Sequence, residues 1–164
     1  MTKTNAARFL DTLGIHYELI EYHVHETDLS AIAIAASLGQ NIDQVFKTLV
    51  LFGDKTGVIV CIIPGKEEVD LKKAAKISGN KNAEMVPVKE LFDLTGYIRG
   101  GCSPLGMKKK YPTYIDETCI LYDFIFISAG IRGMQLKMNP SDIISSASCT
   151  TADLVMQNRT NATG

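Results

Sequence analysis

The chain has 164 residues, 46% of them hydrophobic and 21% charged, with a formal net charge of −1. That balance excludes an intrinsically disordered chain and suits one globular domain with a buried core. A near-neutral total requires any polyanion to be met by a local basic patch, and no apolar run is long enough to span a bilayer. The opening residues MTKTNAARFL lack the apolar core of a secretion signal. The cytoplasm is therefore the expected location, with neither DNA nor a membrane as partner.

In chain order, NAARFLDTL over 5–13 puts Ala6, Phe9, Leu10 and Leu13 on one helical stripe, and Gly14 offers a C-terminal cap. YELIEY alternates as a strand. LSAIAIAASL predicts a helix over Leu29–Leu38, closed by Gly39. QVFKTLVLF and GVIVCIIP are strong strand signals joined by the turn-like GDKTG. Asp70 is placed to cap a helix through LKKAAKIS. A short strand near AEMV, a proline-initiated helix PVKELFDL and a glycine-rich loop follow. The last third predicts strands near PTYID, DFIFISA and MQLKM, then a helix opened by Pro140.

Strands separated by helices indicate an α/β (α+β) domain, but several links are too short for parallel crossovers. The expectation is a mixed, largely antiparallel sheet, curled or closed into a barrel and flanked by helices. Residues 1–150 would form one domain and 151–164 a flexible tail. That tail contains two glycosylation-type sequons, NRT and NAT, read as chance patterns. The cysteines at 61, 102, 119 and 149 form no Cys-x-x-Cys pair and read as reduced thiols in or near the core.

Three stretches carry chemistry. In VFKTLVLF, alternation places Phe46, Thr48, Val50 and Phe52 on one face and Val45, Lys47, Leu49 and Leu51 on the other. Lys47 is the sole charge in that run. Either it snorkels its head group to water from the strand's start, or it enters a pocket to meet an anionic or carbonyl-bearing ligand. The loop IRGGCSPLGM packs permissive and stiff residues beside Lys108, Lys109 and Lys110, which suits a fixed backbone shape. The lysine run is either a solvated turn or a guide for phosphates. In SAGIRGMQL, Gly130 and Gly133 bracket Arg132, either as a plain turn or as a wall that brings Ser128 and Gly130 to the same cleft.

Taken together, VFKTL, GYIRGGCSPLG and ISAGIRG resemble the YbaK/EbsC family, which is similar to the editing domain inserted in bacterial prolyl-tRNA synthetases. The resemblance covers nearly the whole chain. It implies a free-standing deacylase of mischarged tRNA, above all cysteinyl-tRNA(Pro), that uses no cofactor and no metal. The partners it implies are the 3′ end of aminoacyl-tRNA and, transiently, prolyl-tRNA synthetase. Lys47 matches the family's essential lysine and Thr48 follows it in the motif. Gly100 and Gly101 match its paired glycines, Ser128 and Gly130 its second glycine-containing wall, and Tyr22 a pocket tyrosine. Leu29 aligns as a pocket wall with altered spacing. Gln135 stands where some cysteine-specific members carry aspartate, and Cys102 replaces a more usual aliphatic residue.

Such chemistry asks little of an enzyme nucleophile, because an aminoacyl ester is already labile. Orientation and charge stabilisation suffice if water, or a cysteinyl substrate's own thiol, attacks the carbonyl. Rival readings are weaker. Cys102 lacks an adjacent base or helix N-terminus that would lower its thiol pKa. His23 and His25 of HVHETD share a strand face, but no third ligand is placed beside them. PGKEE at 64–68 is a turn. A binding module without catalysis, holding aminoacyl-tRNA or prolyl-tRNA synthetase, is the alternative of a different class.

Overall fold

The computed structural model describes residues 3–157. Its elements in chain order are α1 (Asn5–Leu13), β1 (Glu18–Glu21), α2 (Ala31–Leu38), β2 (Phe46–Gly53), β3 (Gly57–Pro64), α3 (Leu71–Ser78), β4 (Ala83–Met85) and α4 (Val88–Thr95). There follow β5 (Thr113–Asp116), β6 (Ile125–Ser128), β7 (Met134–Met138), α5 (Pro140–Ser146) and β8 (Cys149–Ala152). Side-chain caps account for the helix starts: Thr4, Ser30, Asp70 and Asn139 each accept a hydrogen bond from the following turn. The second helix starts at Ala31, not Leu29. The Asp28 carboxylate first turns the chain by accepting from the Ser30 N–H, and Ser30 then caps Ala33.

The strands form two sheets, β1-β7-β6 and β4-β2-β3-β5-β8. Pairing is antiparallel at β1–β7, β6–β7, β2–β3 and β2–β4, and parallel at β3–β5 and β5–β8. This is the expected mixed sheet, but not a closed barrel. Just before β2, a parallel bridge joins Val45 to Phe126 of the small sheet, and Phe46 packs into the same core as Ile125 and Ile127. At its other end β2 pairs with β4 over Leu51–Gly53.

Central strand β3 is buried on both faces, which explains its uninterrupted apolar sequence. Ile62 joins a core shared with α1, α5 and the small sheet, whose fully buried members include Leu10, Ile127, Leu136 and Ile143. Ile59, Cys61 and Ile63 face the other way, against Ala74 of α3 and Leu154. Burying side chains of this size contributes about 1.5–3 kcal/mol apiece, so both cores fix the central strand firmly.

The tail expected from 151 starts inside the fold. Strand β8 runs to Ala152 in parallel with β5, and Leu154 is fully buried. The Asp116 carboxylate, itself 1% exposed, accepts from the Leu154 N–H at 3.0 Å. Val155 bridges Val69. The CTTA segment carries too little apolar periodicity to signal a strand; its pairing partner is supplied from 36 residues away, Thr113 standing opposite Cys149. The sequons at 158–163 lie outside the described residues. Within the described residues, no helix is long and apolar enough to cross a membrane.

Candidate functional site

The open edge of β2 is where a site can form. The Val50 carbonyl accepts from the Val86 N–H at 3.0 Å, and Val45 bridges Phe126, so the stretch between them has no strand on that side. Strand periodicity turns the N–H and C=O of Thr48 toward the same edge as those of Val50. Here a cavity of about 340 Å³ opens. Because it wraps the start of β2, residues from both alternating faces contribute, Lys47 and Leu49 as well as Thr48 and Val50. The N-terminal turn of α2 closes one side. Gly65 permits that approach, since a Cβ there would overlap Ala31.

Lys47, Thr48, Gly100 and Ser128 line this one cavity, as do Leu29, Cys102 and Gln135. Tyr22 instead lines a small adjoining pocket that shares Leu29, Ile34 and Gly100 with the main one. Gly101 and Gly130 line neither. Lys47 is half-buried, and that desolvation holds its ammonium below its ordinary pKa of 10.5, partly offset by Glu68 and Glu67. Such a cation retains an unused capacity for an anionic or carbonyl ligand.

The two glycines outside the lining shape the walls from behind. A Cβ on Gly101 would lie 3.1 Å from the backbone of Ile131, so only glycine lets the loop press against the β6–β7 turn. Arg132 then ties the assembly together. Its Nε donates to the Arg99 carbonyl at 2.9 Å, and its guanidinium pairs with Glu26 at 3.0 Å. The bracketing glycines therefore present a clamp as well as a turn. Arg132→Ala is expected to speed hydrogen exchange of the Gly101 amide, which donates to the Ile98 carbonyl at 3.0 Å. Its Tm should barely move, because an exposed ion pair contributes only about 0–1 kcal/mol.

Ser128 is fixed within the second wall, its Oγ accepting from the Gly130 N–H at 3.1 Å. Sequence reasoning missed two contributors. Arg99, immediately before the double glycine, adds a second cation to the lining. Tyr97 is a buried post whose hydroxyl donates to the Leu105 carbonyl at 2.5 Å. A basic residue flanking GG was the available signal for Arg99; nothing local marks Tyr97.

The rival groups lack the chemistry their readings require. Burial pushes the Cys102 thiol up to about 12, the opposite of an activated nucleophile. In the folded protein Cys102 is expected to resist alkylation at neutral pH and to react only on denaturation, as mass spectrometry of alkylated protein would show. The His23 and His25 rings meet edge to face at 4.8 Å, and no third metal-binding side chain joins them among the described residues. Lys108 lies over the Phe92 ring at 4.8 Å, and Lys109 and Lys110 border a separate cleft. None of the three lines the main cavity.

Residues 25–145 match the model of the aminoacyl-tRNA editing domain. The chain is 51% identical over 143 residues to an Enterococcus faecalis protein named "Putative Cys-tRNA(Pro)/Cys-tRNA(Cys) deacylase EbsC", covering 87% of each. Its fold is similar, with a TM-score of 0.83 and 26% identity, to a crystal structure of a "putative trans-editing enzyme for prolyl tRNA synthetase", covering 96% of this chain and all of that one. A second crystal structure, of a hypothetical protein, is 20% identical with a TM-score of 0.85 over 93% of this chain and all of that one, and shows the shared fold. The chain belongs to the aminoacyl-tRNA editing domain family.

Proposed function

We propose that this chain is a trans-acting deacylase of mischarged tRNA, and that its foremost substrate is Cys-tRNA(Pro). The observation that carries this reading is the convergence of Lys47, Thr48, Gly100 and Ser128 on one cavity. The name of its relative at 51% identity supports the choice of substrate. Lys47 is the catalytic residue, its ammonium placed against the ester oxygens or the terminal phosphate. Thr48, Gly100 and Ser128 contact the substrate. Tyr22 contributes from the adjoining pocket, and Gly101 and Gly130 serve binding by fixing the walls.

Cleavage needs no enzyme nucleophile. The cysteinyl thiol attacks its own carbonyl carbon, the C–S bond of a thiolactone forms, and the ester C–O bond breaks. The thiol proton passes to the departing ribose oxygen. Positioning in a confined cavity and a fixed cation at the oxygen that gains charge supply the acceleration. The work belongs in the cytoplasm, with charged tRNA. Prolyl-tRNA synthetase is the transient partner, because one near-neutral domain offers little surface for reading tRNA identity.

The test is release of amino acid or thiolactone from cysteinyl-, alanyl- and seryl-tRNA, with Lys47→Ala alongside. Cysteinyl-tRNA should be cleaved fastest. If wild type and variant both bind charged tRNA and neither cleaves it, the chain is a binding module. Preference for tRNA(Pro) should grow when synthetase is added; equal discrimination without it would remove the partner from the scheme.

A further inference from the structure

Two polar side-chain atoms in the cavity wall are left over by the fold. Thr48 Oγ1 and Gln135 Oε1 are both shut off from solvent, and neither has a hydrogen-bond partner among the described residues. Gln135 is only 2% exposed. Opposite it in the β6–β7 ladder stands Ser128, also a lining residue. Buried polar atoms are nearly always paired, so two orphans lining one cavity point to a ligand that supplies the missing partners.

The charges around them are one-sided. Lys47 and Arg99 line the cavity, and no Asp or Glu does. Behind Lys47, Glu67 and Glu68 offset it only in part. Arg132 is engaged with Glu26, and the Cys102 thiol is held neutral by burial. His23, His25, Tyr22 and Asp28 belong to the small pocket behind Gly100. Helix α2 carries no titratable side chain, and Lys89, Glu90 and Asp93 of α4 are exposed. An ammonium entering here would meet two cations and no carboxylate. A neutral amine fits better, because it both donates and accepts. Gln135 Oε1 can only accept, and the Thr48 hydroxyl can donate.

Resting on the proposed deacylase reading, we propose that the cavity takes the aminoacyl group of its substrate with the α-amine uncharged. The amine donates to Gln135 Oε1 and accepts from the Thr48 hydroxyl. An α-amino group loses its proton at about pH 7.7–8.0, so binding it neutral costs little near neutrality. A carboxylate at position 135 would instead hold the ammonium. Gln135 thus sets the charge state in which the substrate enters.

Calorimetry tests this with the cysteinyl amide of 3′-amino-3′-deoxyadenosine, which cannot be hydrolysed as an ester. At about pH 6.5 both its amine and its thiol are protonated in solution. Titrations in buffers of different ionisation heat count the protons exchanged. Wild type should release about one proton per ligand bound. Gln135→Glu should bind without that release, which separates the amine from any proton exchanged by His23 or His25. Gln135→Met, similar in volume but unable to accept, should bind about tenfold more weakly. Wild-type binding with no proton released, or an unchanged release from Gln135→Glu, overturns the inference and leaves the deacylase reading standing. Failure to bind the analogue, with no cleavage of any charged tRNA, overturns both.

Discussion

Lys47→Ala is expected to lower kcat/KM for cysteinyl-tRNA deacylation by at least about a hundredfold, the scale of removing one preorganised charge-stabilising group. The fold should survive. Lys47 makes no hydrogen bond or ion pair in the described structure, and its desolvation disfavours the charged form. Lys47→Met, which keeps most of the aliphatic stem, should therefore show a Tm equal to or above that of wild type while losing activity. Retained cleavage in both variants would remove Lys47 from the chemistry. A fall in Tm matching the loss of activity would make its role structural.

The pH dependence separates the two effects further. With a folded pKa below 10.5, the unfolded chain binds the extra proton in the interval between the two values. Stability from this group therefore rises as pH climbs through that interval, because the folded protein no longer holds a desolvated ammonium. Activity should move the opposite way, falling as the ammonium is lost on the alkaline side. A rate that held or rose together with stability across this interval would not fit an ammonium acting at the ester.

Local patterns made the scaffold legible. Alternation in FKTLVLFG and the apolar run of GVIVCIIP marked β2 and β3, an apolar stripe ended by Gly14 marked α1, and the Asp70 cap marked α3. Burial made Lys47 conspicuous, since an unpaired cation in an apolar strand is costly unless something meets it. What escaped were features that exist only across long separations. Strand β8 owes its pairing to β5, and the Arg132 clamp joins segments 33 and 106 residues apart. The glycines show the same limit. Their positions were evident, yet Gly101 and Gly130 support the walls while Gly100 alone reaches the cavity, and nothing within IRGG or SAGIRG separates these roles.

Gly130→Ala should be among the most damaging small changes available. Gly130 sits at φ +105°, a conformation that strains any residue with a Cβ by about 1–3 kcal/mol. The added methyl would also lie 2.8 Å from Cε1 of Tyr97. That ring cannot swing away, since it is 4% exposed and anchored through its hydroxyl to Leu105. Overpacking of this kind adds about 1–3 kcal/mol. Together these amount to a large share of the stability of a domain this size, and Tm should fall by about 5–15 °C. Gly14→Ala provides the control, because Gly14 also has a positive φ, +67°, but nothing lies within 4 Å of its would-be Cβ. Its cost should be the conformational strain alone, about 1–2 kcal/mol. Deacylation by Gly130→Ala should drop more than Tm explains, measured well below the transition, because Ser128 Oγ is held by the Gly130 amide. Equal destabilisation by the two substitutions would mean that Tyr97 yields, and that the second wall of the cavity is softer than its packing implies.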